Sequence, residues 1–193
     1  MDHATLNRWV VRYSPLIALA AKSRKRTVAS SWGMDETTII IKGEWVYLYR
    51  VVDKFGDTVD FMLSERRDEA AATAFFKQAI DGNGLPEKVL MDKSGANLAG
   101  LENINVLLVL AGLLCLMVDI CQVKYLNNLV EQDHRFTCAL WVSKRSPDPC
   151  WGFKAFHSAQ ATLDGIETAH MIRKGQLAGK TLPAYQQFIN LAG

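Results

Sequence analysis

Three runs of β-branched and aromatic residues follow one another with only short, glycine-bearing breaks, and this constrains the fold more than any other feature of the chain. Thr37 to Lys42 (TTIIIK) ends at Gly43, Trp45 to Val52 (WVYLYRVV) ends at the turn Asp53-Lys-Phe-Gly-Asp57, and Thr58 to Leu63 (TVDFML) comes next. Strand-forming runs joined by so few residues return antiparallel to themselves, because a short turn cannot carry the chain across a sheet. A three-stranded antiparallel meander is therefore predicted.

The pattern then changes. Glu69 to Ile80 is rich in alanine, with Phe75, Phe76 and Ile80 along one side, and reads as a helix ended by GNGLP. Lys88 to Met91 is a short strand that stops at Asp92, and a helix begins near Ser94. Val106 to Val118 (VLLVLAGLLCLMV) is uncharged and mostly apolar. It falls short of the ~20 residues that a membrane span needs, so it is expected to be buried core, a central strand passing into a buried helix. Gln122 to Phe136 is again helical in pattern, and a last helix covers roughly Ser158 to Lys174. This order predicts an α/β fold whose mixed sheet has three antiparallel strands and then two parallel ones, with helices on both faces, a ribonuclease-H-like arrangement. A chain of 193 residues suffices for one such domain and a small appendage.

Before the meander, Leu6, Trp9, Val10 and Tyr13 form a stripe at helical spacing, so a helix is expected over residues 2–13, capped by Asp2 or Thr5. Pro15 falls just after its end, and residues 14–33 read as a linker or a short helix with a loop. Net charge is only +2, but the first 33 residues hold Arg8, Arg12, Lys22, Arg24, Lys25 and Arg26 against the single acid Asp2. A basic front suits an anionic partner, and it is equally what a solvated arm carries. The 4 cysteines, Cys115, Cys121, Cys138 and Cys150, show no CxxC pair and no zinc-finger spacing, which suits free thiols in a reducing cytoplasm. The opening MDHATLNRWV is amphipathic and unlike a signal peptide. A cytoplasmic protein without a membrane partner is expected.

Three carboxylates stand where this architecture brings chain segments together. Asp35 is expected at the start of the first strand, Asp92 just past the fourth, and Glu131 on a helix downstream. Neighbouring strand ends with a helix across them can converge such side chains into a cluster of hard oxygen donors, which suits Mg²⁺. Two ions held ~3.5–4 Å apart can activate an attacking oxygen and stabilise the leaving one during in-line phosphoryl transfer. Each acid alone also has a plainer reading. An aspartate after a strand is often a turn former or helix cap, and acids on helices and strand edges are usually solvated.

Longer strings carry a more specific message. MDETTIIIKGEWVYLYRVVDKFGDTVDFMLSERRD resembles the first-aspartate block of the insertion-sequence-six family of DDE transposases, and KVLMDKSGAN resembles the second. QVKYLNNLVEQDHRF is similar to the block that holds the family's catalytic glutamate, and GFKAFHSAQATLDGIETAHMIRKGQ to its C-terminal signature. The resemblance implies that Asp35, Asp92 and Glu131 are both the catalytic triad and the ligands of Mg²⁺ or Mn²⁺. It implies cleavage and strand transfer of DNA, at terminal inverted repeats and at a target, by a homo-oligomer associated with the bacterial nucleoid. DHATLNRWVVRY resembles the recognition helix of the family's helix-turn-helix, which would lie in the major groove. His3, Thr5, Asn7 and Arg8 then become candidates for base or phosphate contacts, with Arg12, Lys22, Arg24, Lys25 and Arg26 as further DNA-binding cations.

The chain departs from the family pattern in places. It opens inside the helix-turn-helix, so the recognition helix is expected to lack the partners that would bury Trp9 and Val10. Cys138 stands where the family usually has a lysine or arginine two turns beyond the glutamate, and Arg135 is the nearest substitute on that helix face. Residues 137–151 (TCALWVSKRSPDPCW) do not resemble the family's basic segment and read as a loop or insertion. The expected organisation is a DNA-binding remnant and linker at 1–33, a catalytic domain at 34–176 and a tail at 177–193. The alternative is a partly degenerate, catalytically inactive remnant that binds DNA or a full-length transposase.

Overall fold

In the computed structural model, the residues described are 2–122, 153–177 and 182–192. They group into two compact units. Of the described residues, one comprises 28–39 and 45–122, and the other 2–27, 40–44, 153–177 and 182–192.

The first unit is built on a five-stranded sheet of order β3-β2-β1-β4-β5. Its strands are β1 (Ser31–Ile41), β2 (Glu44–Asp53), β3 (Thr58–Ser64), β4 (Lys88–Met91) and β5 (Asp119–Gln122). β2 and β3 pair antiparallel from Tyr47↔Ser64 to Val51↔Asp60, with an irregularity before Val52↔Thr58. β4 runs parallel to both β1 and β5. The mixed sheet expected from element order is therefore present.

Local chemistry explains the turns. Lys42 and Gly43 both have positive φ, 55° and 85°, the combination that two-residue hairpin turns demand. After β2 the side chain of Asp53 organises the next turn. Its Oδ1 accepts from the backbone N–H of Phe55 and of Asp57, each at 2.9 Å, and its Oδ2 accepts from Ala29 N–H at 2.9 Å.

Helices α2 (Glu69–Asn83) and α3 (Gly95–Leu110) cover one face of the sheet. α2 starts where Asp68 accepts from Ala71 N–H at 2.8 Å, an N-cap, and buries Ala72, Phe75, Phe76 and Ala79 at helical spacing. These meet Trp32 and Met34 of β1, Tyr49 and Val51 of β2, Val89 and Met91 of β4, and Leu101 and Ile104 of α3. The two helices approach so closely at Gly100 that an added Cβ would lie 2.6 Å from the Ala72 Cβ.

Three sequence expectations are corrected in this unit. β1 begins at Ser31 rather than near Thr37, so Asp35 lies inside the strand and not at its start. Trp32 and Met34 extend it, because alternate residues there enter the core. The run from Val106 to Val118 also differs. It is the end of α3, a turn and a short 3₁₀ helix at Leu114–Leu116, and the strand comes only afterwards. Nor is it buried: Val106, Leu107, Val109, Leu110, Leu113, Leu114, Leu116 and Met117 are exposed. The buried side-chain amide of Asn105 donates to the Val118 carbonyl at 3.0 Å and accepts from the Val118 N–H at 2.9 Å. This pair closes the base of the excursion, and the chain re-enters the core only at Val118. The helix expected over Gln122–Phe136 lies outside the described residues from position 123 on.

The second unit contains helix α1 (His3–Arg24), helix α4 (Phe156–Arg173) and helix α5 (Ala184–Ala192). α1 does not stop before Pro15 but passes through it. Proline removes one hydrogen bond to the preceding turn, and packing along the second half of the helix offsets that loss. There Ala18 and Ala21 are buried, with Ala21 among Met171, Ile172, Leu177 and Leu191. Contact with α4 is close, since a Cβ at Gly165 would lie 2.8 Å from Ser14 Oγ. Arg24 Nη1 donates to the Asn190 carbonyl. The helix thus has partners within this chain, although not along the stripe read from sequence: Leu6, Trp9 and Tyr13 are exposed. Residues 184–192, expected as tail, are helical.

Candidate catalytic site

The site begins with strand register. β1 and β4 pair in parallel as Ser31↔Lys88, Trp32↔Val89 and Gly33↔Leu90. Carried two residues further, the same offset sets Met34 beside Met91 and Asp35 beside Asp92. Adjacent strands are ~4.8 Å apart, so Asp35, within β1, and Asp92, just past β4, both lie beyond the same end of the paired segment. Their facing follows from the pleat. Trp32, Met34, Val89 and Met91 all point into the core under α2 and α3, so alternation turns Asp35 to the opposite face.

Local hydrogen bonds orient both carboxylates. Asp35 is half-buried, and its Oδ1 accepts from Glu36 N–H at 2.9 Å. Asp92 is exposed, its Oδ1 accepts from Lys93 N–H at 3.2 Å, and its carbonyl accepts from Ser94 N–H at 2.7 Å. Asp92 thus turns the chain from β4 into α3 while presenting a carboxylate at the end of a central strand.

Behind Asp35 lies a polar group with no place in the sequence reading. Glu36 is the next residue on the core-facing side after Trp32 and Met34, where alternation would favour an apolar side chain. Its carboxylate pairs with Arg67 Nε at 2.6 Å and accepts from Asn97 Nδ2 at 3.1 Å. Tyr49, packed against Phe75, is pushed up to about 12 by burial and then by the nearby negative charge of Glu36. A clue was available in the sequence: an acid that breaks a period-two apolar stripe in a central strand needs a partner.

Among the described residues no group of three His, Cys, Asp or Glu side chains is close enough to hold a metal ion. The chemistry of Asp35 and Asp92 nonetheless fits a hard divalent cation, since both supply carboxylate oxygens and both follow the paired segment of β1 and β4 at the same end. Glu131 and Arg135 lie outside the described residues. The cations read as DNA-binding sit on α1 and just beyond it, as do His3, Thr5 and Asn7. Arg8, Arg12, Lys22 and Arg24 are exposed, Lys25 and Arg26 half-buried. Arg8 Nη2 donates to Thr5 Oγ1 at 3.2 Å, the Arg12 guanidinium lies 5.5 Å from the Tyr13 ring centroid, and Arg26 N–H donates to the Gln176 carbonyl at 3.0 Å. Among the described residues, no helix is long and apolar enough to cross a membrane.

A mixed five-stranded sheet of this order, with helices packed on it, is the ribonuclease-H-like arrangement. The HTLV-2 integrase catalytic core domain, solved in complex with magnesium in a trimeric form, has this fold. It aligns with a TM-score of 0.53 and 16% identity over 86% of this chain and 99% of its own. Residues 29–176 match the DDE domain family of IS240 transposases. The transposase for the insertion sequence-like element IS431mec of Staphylococcus aureus is 35% identical over 175 residues, covering 90% of this chain and 71% of the relative. The transposase for IS257 in transposon Tn4003, also from Staphylococcus aureus, is similar to the same extent. The chain belongs to the insertion-sequence-six family of DDE transposases.

Proposed function

We propose that this transposase cuts and joins DNA through a site formed by Asp35, Asp92 and Glu131, using Mg²⁺ or Mn²⁺. The observation that supports the reading is the parallel β1–β4 register, whose last pair, Gly33↔Leu90, precedes Asp35 and Asp92 by two residues each. When bound, the divalent ions supply the charge neutralisation and Lewis acidity that in-line attack on a phosphodiester requires. Asp35 offers its carboxylate from inside a strand held on both sides, with the Glu36 N–H fixing its orientation. Asp92 offers its own from the turn into α3, where the Lys93 N–H orients it. Water is the nucleophile in cleavage, and the freed 3′-hydroxyl is the nucleophile in joining; neither step needs a histidine base or a covalent intermediate.

The partners are the terminal inverted repeats of the element and a target DNA, handled by more than one copy of the chain because two ends react together. His3, Thr5, Asn7 and Arg8 contact DNA from α1, with Arg12, Lys22, Arg24, Lys25 and Arg26 continuing the basic stretch and Arg135 near the glutamate. A regular helix that can enter the major groove supports this, and so does the exposure of its cations, which phosphate contacts require. Work at the nucleoid follows from the DNA substrate.

The test is nicking of supercoiled plasmid by the purified chain with Mg²⁺ or Mn²⁺, compared with Asp92→Asn. Metal-dependent nicking that falls to background in the variant is the expected result. A folded, metal-exposed protein that does not nick would overturn the catalytic reading and leave a DNA-binding remnant.

A further inference from the structure

We infer that Glu36, locked by Arg67 and Asn97, is a positioning residue that holds Asp35 in its metal-ready orientation. The inference rests on the reading of Asp35 and Asp92 as metal-holding acids, and adds a residue that neither touches metal nor DNA.

The chain of contacts is short. Arg67 Nε meets Glu36 Oε1 at 2.6 Å, and Asn97 Nδ2 donates to Glu36 Oε2 at 3.1 Å, so each carboxylate oxygen has a donor. The Glu36 backbone N–H in turn donates to Asp35 Oδ1 at 2.9 Å. Fixing the Glu36 side chain therefore fixes the peptide whose N–H orients the Asp35 carboxylate. The two donors come from different places. Arg67 immediately precedes the Asp68 cap of α2, and Asn97 lies in the first turn of α3, five residues after Asp92. Through Glu36, the central strand is tied to the helix that follows the second aspartate.

Burial makes this arrangement demanding. The Glu36 side chain is only 10% exposed and Asn97 is 4% exposed. A carboxylate so enclosed is costly unless its oxygens are paired. Among the described residues, the buried Asn97 Oδ1 has no hydrogen-bond partner, while its Nδ2 donates to Glu36. Groups that orient metal-ligating carboxylates through a hydrogen bond typically alter metal affinity 10- to 100-fold when removed.

The test measures Mn²⁺ affinity of the purified full chain by titration, well below the unfolding temperature, alongside the Mg²⁺ dependence of nicking. Glu36→Ala is expected to weaken Mn²⁺ binding by roughly tenfold or more. Glu36→Gln, which keeps an acceptor for Asn97, is expected to recover part of that loss. Should Glu36→Ala not fold, Arg67→Met and Asn97→Leu each remove one donor and are expected to weaken binding severalfold. Folded variants that are less stable but bind Mn²⁺ like the wild type would overturn the inference, since a merely structural role gives that outcome. Asp92→Asn separates the two ideas. If it weakens Mn²⁺ binding while the Glu36, Arg67 and Asn97 variants do not, only the positioning role fails. If neither Asp92→Asn nor the wild type shows a metal site, the catalytic reading fails and takes the positioning role with it.

Discussion

Strand β1 and the run from Val106 to Met117 invite opposite guesses from composition, and the structure reverses both. β1 carries Asp35 and Glu36 side by side, yet Trp32 and Met34 from the same strand are among the most buried side chains of the chain. The run has no charge at all, yet Leu110 is 78% exposed and Leu114 63%. The difference teaches that burial belongs to an element's partners rather than to its own apolarity. β1 has a hydrogen-bonded strand on each side and two helices over its core face, so alternate residues are enclosed whatever stands between them. The run leaves the core after Asn105 and returns at Val118, and nothing among the described residues closes over it.

This contrast can be broken or sharpened by measurement. Trp32→Ala should have the largest effect, a loss of about 3–5 kcal/mol in urea unfolding, because it empties the centre of the core. A loss below about 1 kcal/mol would mean that β1 is not enclosed in solution. Gly100→Ala should come next, costing about 1–3 kcal/mol, because the new methyl collides with Ala72 and forces α2 and α3 apart. An unchanged unfolding midpoint would show that the helices pack less closely than described.

Tyr49 gives a pH-dependent test of the same core. Unfolded tyrosine ionises near pH 10, whereas in the folded chain it is pushed up to about 12. Between these values the unfolded state binds fewer protons, so stability should fall as pH rises from about 10 to 12 and be fully present below that window. In Tyr49→Phe this part of the decline should vanish, which thermal melts across the window would reveal. The smallest effect is expected from Leu110→Ser, within about 0.5 kcal/mol. A loss above about 1 kcal/mol would place Leu110 in a buried contact and erase the contrast with β1.

Much of the fold was legible because its signals are local. Turn residues between β-branched runs specify a meander, the alanine-rich run with Phe75, Phe76 and Ile80 along one side specifies α2, and Lys88–Met91 was read to its exact bounds. Pro15 misled because its cost acts on one turn, whereas α1 is held by Ala18 and Ala21 further along. The apolar run misled because apolarity measures the tendency to leave water and not whether a partner is available. In the candidate site, Asp35 and Asp92 were recognisable from the strings around them, while Glu36 was passed over as part of the same dipeptide.

The sequence by itself determined the family and the order of strands and helices around the sheet, because periodicity, turn chemistry and family strings all act over short stretches of chain. Tertiary structure alone decided that β1 pairs in parallel with β4, segments 57 positions apart as Ser31↔Lys88 shows (88 − 31 = 57), which brings the ends that carry Asp35 and Asp92 to the same side. It also decided that Glu36 meets Arg67 and Asn97, and that α1 packs on α4. Each of these depends on which distant surfaces meet once the apolar faces are enclosed, and no local pattern encodes that choice.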